Sequence, residues 1–171
     1  MVFAYYNRLT AVQKRVYRRS DEIAAVPLPG ARELHPLVSE LERSLEIEDR
    51  QKAEDVCRAI IEHIVARLSV PRLRVSVLAV RPTGSWGELH GLYEPAEGRT
   101  SAKITLWMRT VKHRHVVAFR SFFRTLLHEL CHHLDYELFL LAESFHTEGF
   151  YKRESSLFHQ LRDEEEPKKL V

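Results

Sequence analysis

Cysteine is almost missing from this chain: Cys57 and Cys131 are the two among 171 residues. That count excludes a disulfide scaffold, and it excludes a zinc ribbon or any other cysteine-built nucleic-acid module. Long apolar runs are missing too. No stretch approaches the ~18 uncharged apolar residues that a membrane-spanning helix requires. The opening Met1-Val2-Phe3-Ala4-Tyr5-Tyr6-Asn7-Arg8 lacks the ordered basic and apolar regions of a secretory signal. A cytoplasmic setting with no membrane partner is the expectation. There is no internal repeat and no low-complexity tract beyond a short acidic and basic tail, Asp163 to Lys169, read as a solvated end. What is present is 44% hydrophobic content, enough for one compact domain over 1–171 with a sizeable core.

Glycine and proline are absent from about Val116 to Leu141, which leaves a long stretch free to be helical. Phe119, Phe122, Phe123, Leu126, Leu127, Leu130 and Leu134 recur there at helical spacing over most of the circumference, the mark of a largely buried helix. The polar exceptions fall in line. Arg120, Arg124, His128 and His132 are each four apart, and Asp135 lies close to their stripe. Inside the stripe is His128-Glu129-Leu130-Cys131-His132. Positions four apart on a helix sit about 40° apart with about 6 Å of rise, so two imidazoles can reach one metal ion. Glu129 projects beside that point, where a carboxylate can take a proton from water. The motif predicts two ligands and a base. Cys131, in the same buried helix, is expected to behave as a small apolar residue. His63 is expected to be an ordinary helix residue with no metal role.

A catalytic tetrahedral site has three protein ligands and an open position, so a third ligand is expected downstream. His146 is the first choice. It lies in Ala142-Glu143-Ser144-Phe145-His146-Thr147-Glu148-Gly149-Phe150, which reads as a bend before a second amphipathic helix marked by Phe150, Leu157, Phe158 and Leu161. Glu143 and Glu148 are the rivals, because a carboxylate can replace the third imidazole.

His128-Glu129-x-x-His132, then thirteen residues, then His146-x-x-x-Phe150 resembles the SprT-like and related small zincin metallopeptidases. In those proteins a third histidine and a trailing aromatic open the next helix. The likeness covers roughly Lys103 to Leu161 and is strongest over His128 to Phe150. It implies a zincin-like α+β fold, with His128, His132 and His146 as ligands of one zinc ion per chain and Glu129 as the catalytic base. One departure stands out. Those families usually carry Gly directly after the third histidine, whereas this chain has Thr147 there and Gly149 two places later.

The rest of the chain is read as N-terminal helices over 1–69, a sheet region over 70–112 and the active-site helices over 115–162. Tyr5 to Ile23 has helical character, Ala25 to Gly30 reads as a linker, and Leu34 to Leu68 reads as two helices broken near Glu48-Asp49. Leu73 to Val80, Glu88 to Tyr93 and Ile104 to Met108 are the candidate strands, with turns at Arg81 to Ser85 and Pro95 to Gly98. The economical arrangement is a three-stranded meander. The resemblance assigns substrate pairing to the strand before the active-site helix, here Ile104 to Met108, by addition of an extended peptide to its edge.

Charge is uneven. Val70 to His128 holds ten Lys and Arg against three acids, while Glu129 to the end holds five basic and ten acidic residues. Internal pairing explains such a split, and so does a basic surface that meets nucleic acid or an acidic protein, as the SprT resemblance suggests. The expected function is a zinc metallopeptidase acting on a protein or peptide substrate. The candidate stabilisers of the oxyanion are Tyr151 and Arg153 first, then His133 and Tyr136. The competing expectation is a non-hydrolytic zinc-binding regulator or a nucleic-acid-associated protein on the same kind of fold.

Overall fold

Thr10 opens the first helix by a reciprocal cap. Its hydroxyl accepts from the Gln13 N–H, and the Gln13 side chain accepts from the Thr10 N–H. The expected single helix from Tyr5 to Ile23 is therefore two pieces in the computed structural model, which describes residues 2–84 and 87–162: a 3-10 turn at Ala4–Arg8, then α1 at Ala11–Glu22. The tail from Asp163 to Lys169 lies outside the described residues. The presumed linker is not a loose one. Val26 and Leu28 are buried, and Gln160 ties both down, donating to the Val26 carbonyl and accepting from the Leu28 N–H. A short 3-10 turn, Ala31–Leu34, leads into α2 (His35–Glu46), and α3 (Arg50–Arg67) follows. The break falls where expected, with Glu48 at φ 59° and Asp49 capping α3 through the Lys52 N–H.

The strands are β1 (Arg74–Val80), β2 (Thr83–Gly84), β3 (Gly87–Glu88), β4 (Gly91–Glu94) and β5 (Lys103–Arg109). They do not form a meander. The main sheet has the order β1-β5-β4, with β5 parallel to β1 and antiparallel to β4, while β2 and β3 pair separately. β5 therefore occupies the centre, and the expectation that Ile104 to Met108 offers an edge to substrate is overturned. The physical reason is legible in its composition. All five residues from Ile104 to Met108 are buried and four of them are apolar, with Thr105 the exception, which suits a strand covered on both faces. The outer edge of β1 is also occupied. Arg50 donates to the Val77 carbonyl at 2.7 Å and Glu54 accepts the Val77 N–H at 2.9 Å, so α3 side chains cap the middle of that edge. β4 is left as the edge strand on the far side.

Two helices complete the α+β fold: α4 (Phe119–Glu137) beneath the sheet and α5 (Glu148–Arg162) packed on α4. Phe122, Phe123, Leu126, Leu127, Leu130 and Leu134 of α4 are almost fully buried, against Ile104 and Leu106 of the sheet and Phe150, Leu157, Phe158 and Leu161 of α5 in one continuous core cluster. Each such side chain contributes roughly 1.5–3 kcal/mol on burial, so α4 is firmly anchored in the core. No described helix is long and apolar enough to cross a membrane.

Candidate metal centre

α4 carries His128 and His132 one turn apart. The chain then reverses through the irregular stretch 138–147, and α5 returns across them. His146 sits just before α5, where the reversal brings its ring centroid to 4.8 Å from that of His128 and 5.0 Å from that of His132. The His146 Nε2 lies 3.1 Å from the Nε2 of each partner, and the ligand atoms of all three residues fall within 4.8 Å of one another. Phe150, in the first turn of α5, forms an apolar floor with ring centroids 4.8–5.1 Å from all three imidazoles.

The partners on the far side of two rings decide what the converging nitrogens are. Glu154 lies 3.1 Å from His128 Nδ1 through one oxygen and accepts from Arg124 at 3.1 Å through the other. The hydrogen-bond network thus assigns the proton to His128 Nδ1 and leaves a lone pair on Nε2. His132 Nδ1 is 2.7 Å from Ser144 Oγ, whose own hydroxyl donates to Asp135 Oδ2 at 2.7 Å. Ser144 must therefore accept from His132, and His132 Nε2 is likewise a bare acceptor. Two lone pairs and the His146 nitrogen face a single point. One imidazole proton cannot serve both neighbours, whereas a cation serves all three. The donor set fits one metal ion.

Burial depresses the imidazolium forms in the same direction. His132 is pushed down to about 3, by burial first and then by the His128 and His146 charges, and His146 is lowered by burial and by His128. Neutral imidazoles are what a metal needs. Glu129, next to the three histidines, is 7% exposed. Burial raises its carboxyl to about 7, opposed by the His128 charge and by a hydrogen bond from the Tyr93 backbone. A carboxyl with that affinity can both take and return a proton near neutral pH.

These groups line a cleft of about 700 Å³ between β4 and the α4 stripe, with His90, Gly91, Leu92 and Tyr93 on one wall and Arg124, Thr125 and Tyr136 on the other. Gly91 is there for clearance. A Cβ at that position would stand 2.6 Å from Glu129 Oε1 and 2.6 Å from Thr125 Cγ2.

Of the third-ligand candidates, the structure brings His146 to the point and leaves the rivals elsewhere. Glu143 accepts from Gln13, and Glu148 pairs with Lys152 at 2.8 Å. Among the candidate oxyanion donors, Arg153 is excluded. It is fully buried, donating to the Ser20 and Ile23 carbonyls and to Asp135, and so faces α1 rather than the cleft. His133 is spent as well, held between Tyr93 Oη at 3.1 Å and the Pro71 carbonyl at 2.8 Å. Tyr136 lines the cleft. Tyr151 is 42% exposed, with its ring centroid 5.9 Å from that of His146 and 6.1 Å from that of His128. Cys131 is fully buried, as expected, and His63 is exposed on α3.

Sequence reasoning missed Glu154, Ser144 and Gly91. Glu154 carried a usable signal, because it falls midway between Phe150 and Phe158 on the buried stripe of α5, where a charge needs a partner. Part of the basic excess of the sheet region is paired with acids outside it, Arg109 with Glu48 and Arg124 with Glu154. The departure at Thr147 and Gly149 also gains a reason. Thr147 is buried and caps α5 through the Phe150 N–H at 2.9 Å, and a Cβ on Gly149 would lie 2.5 Å from the Asp21 carbonyl oxygen. No protein-family model matches the chain, no curated protein matches it, and no solved structure matches it.

Proposed function

We propose that this protein is a zinc-dependent metallopeptidase of zincin-like type that hydrolyses peptide bonds in a protein or peptide. The observation that carries the reading is the convergence of the His128, His132 and His146 nitrogens beside the buried Glu129 in the same cleft. Tetrahedral zinc with Zn–N of about 2.0–2.1 Å separates its nitrogen ligands by about 3.3 Å, and the two Nε2 separations of 3.1 Å come close to that. A zinc ion bound there supplies Lewis acidity toward a carbonyl and toward water.

The chain's own groups account for the rest. Glu129 takes the proton of the attacking water and passes it to the leaving amine, the two halves of one general-base, general-acid cycle. Glu154, and Ser144 backed by Asp135, hold the imidazoles in the tautomer that ligation requires. Tyr136 and Tyr151 are the remaining candidates for the oxyanion. An extended peptide would add to the outer edge of β4, which borders the cleft at Gly91, Leu92 and Tyr93.

The test is metal content followed by activity. The purified protein should hold about one zinc per chain, and His128→Ala, His132→Ala and His146→Ala should each lose tight binding. Glu129→Gln should keep zinc while cleavage of a denatured protein substrate falls by ~10² or more. Zinc retained at parental affinity in the histidine variants, or parental cleavage by Glu129→Gln, overturns the assignment.

A further inference from the structure

His128 and His132 are placed by a rigid buried helix, whereas His146 belongs to the irregular stretch 138–147. Something else must hold it. α4 holds part of that stretch, through Ser144 on His132 and Asp135 and through the Leu141 N–H on the Asp135 carbonyl, and a second set of contacts comes from the N-terminal segment. Tyr5 Oη donates to the His146 carbonyl at 2.8 Å, so the ligand's own backbone is tied to the N-terminal 3-10 turn. Gln13 donates to Glu143 at 3.2 Å, and Arg19 donates to the Phe139 carbonyl at 3.3 Å. Ser20 Oγ lies 3.4 Å from Thr147 Oγ1, and Asp21 accepts the Gly149 N–H at 2.9 Å, covering the start of α5. Phe145, directly before the ligand, packs on Tyr5 and Tyr17 at centroid distances of 6.5 and 6.1 Å. The N-terminal segment thus meets this stretch on both sides of His146, from more than a hundred residues away in sequence.

We propose that residues 3–21 form a positioning clamp for the third metal ligand, with Tyr5 the residue that holds His146 directly. The inference rests on the reading of His128, His132 and His146 as a metal site. Its physical basis is entropic. A ten-residue connection without helix or strand of its own loses roughly 1–2 kcal/mol of backbone freedom per residue on ordering, and ligands carried on such segments are placed less well than ligands on helices. Fixing the His146 carbonyl and its flanks in advance moves that ordering cost from metal binding to folding. Tyr5, Gln13 and Asp21 are positioning residues; none of them is a ligand.

The clamp is tested by zinc affinity, measured by competition with a chromophoric chelator, and by the visible spectrum of the cobalt(II)-loaded protein. Tyr5→Phe keeps the ring and loses the hydroxyl, so zinc affinity should fall on the order of 5-fold, the worth of one hydrogen bond. Tyr5→Ala combined with Gln13→Ala should lower it on the order of 10- to 100-fold and weaken the tetrahedral cobalt bands, while the far-UV spectrum of the metal-free protein stays parental. Both changes should cost no further affinity in a His146→Ala background, because the clamp acts through that ligand alone. Equal losses in the His146→Ala background would mean general loosening and would overturn the clamp. So would unchanged affinity of both variants when the parent binds zinc tightly and His146→Ala does not. A parent that binds no metal refutes the metal-site reading and the clamp together. If the double variant fails to fold, Tyr5→Phe decides the matter by itself.

Discussion

Gly91→Ala tests how Glu129, the proposed base, is held against the sheet edge. A methyl group built on Gly91 stands 2.6 Å from Glu129 Oε1, 2.6 Å from Thr125 Cγ2 and 3.0 Å from Glu129 Cγ. The two closest contacts are about 1 Å inside the ~3.5–4.0 Å optimum for such pairs. Gly91 does not occupy a positive-φ conformation, so alanine is compatible with the backbone and the effect is purely steric. Thr125 has little room to yield, because its hydroxyl donates to the Ser121 carbonyl at 2.9 Å. Relief must come from β4 lifting away from α4 or from the Glu129 carboxylate turning aside. Overpacking of this kind costs about 1–3 kcal/mol, equivalent in a chain of this size to a fall in Tm of roughly 2–12 °C. The three nearest atoms belong to Glu129 and Thr125 and not to a histidine, so zinc stoichiometry should stay parental. Peptide cleavage should drop on the order of 10²-fold, the penalty of an ångström's misplacement of a catalytic group. Thermal unfolding, metal analysis and a peptidase assay on the same preparation read all three. A variant with parental Tm and parental cleavage refutes the argument that glycine is required for β4 to close over the base.

Three further outcomes follow from the same geometry. In the metal-free protein, burial holds the Glu129 carboxyl at about 7 against an ordinary 4.5. The unfolded chain therefore ionises first, and stability relative to Glu129→Gln should fall by on the order of 3 kcal/mol as pH rises from about 4.5 to 7; urea midpoints whose difference is constant over that range contradict it. Glu154→Gln removes the charge that fixes the His128 tautomer and pairs with Arg124, so chelator competition should show zinc affinity reduced ~10- to 100-fold, and an unchanged affinity would count against that role. Asp135→Ala leaves Arg153, whose side chain is 0% exposed, without its buried partner. It should cost about 3–5 kcal/mol in denaturant unfolding, and a loss below about 1 kcal/mol would show that the Ser20 and Ile23 carbonyls satisfy the guanidinium alone.

Within the sequence, what was legible was what depends on neighbours a few residues apart. The periodicity of Phe119 to Leu134 determines a buried helix, and the spacing of His128 and His132 puts two imidazoles on one face with Glu129 beside them. The break between α2 and α3 shows in the pattern as well, since Asp49 acts through local capping. These features persist because helix geometry is set within a few residues, whatever the rest of the chain does.

Strand order did not follow from such local rules. β1 pairs directly and in parallel with β5 although three strands separate them in sequence, a long-range choice made by the buried run from Ile104 to Met108 taking the centre of the sheet, and it moved the open edge to β4. The third member of the histidine cluster is the sharper case. Spacing allowed His146, Glu143 or Glu148, and the decision came from where the reversal at 138–147 is tied down: Tyr5 on the His146 carbonyl, Gln13 on Glu143 and Asp21 at the start of α5. Arg153 shows the same limit from the other side, since a charged residue near a ligand in sequence turned inward to join α1 to Asp135. Helical spacing determines which side chains share a face, but only contacts between distant segments decide which of several nearby groups reaches the point where a metal can be held.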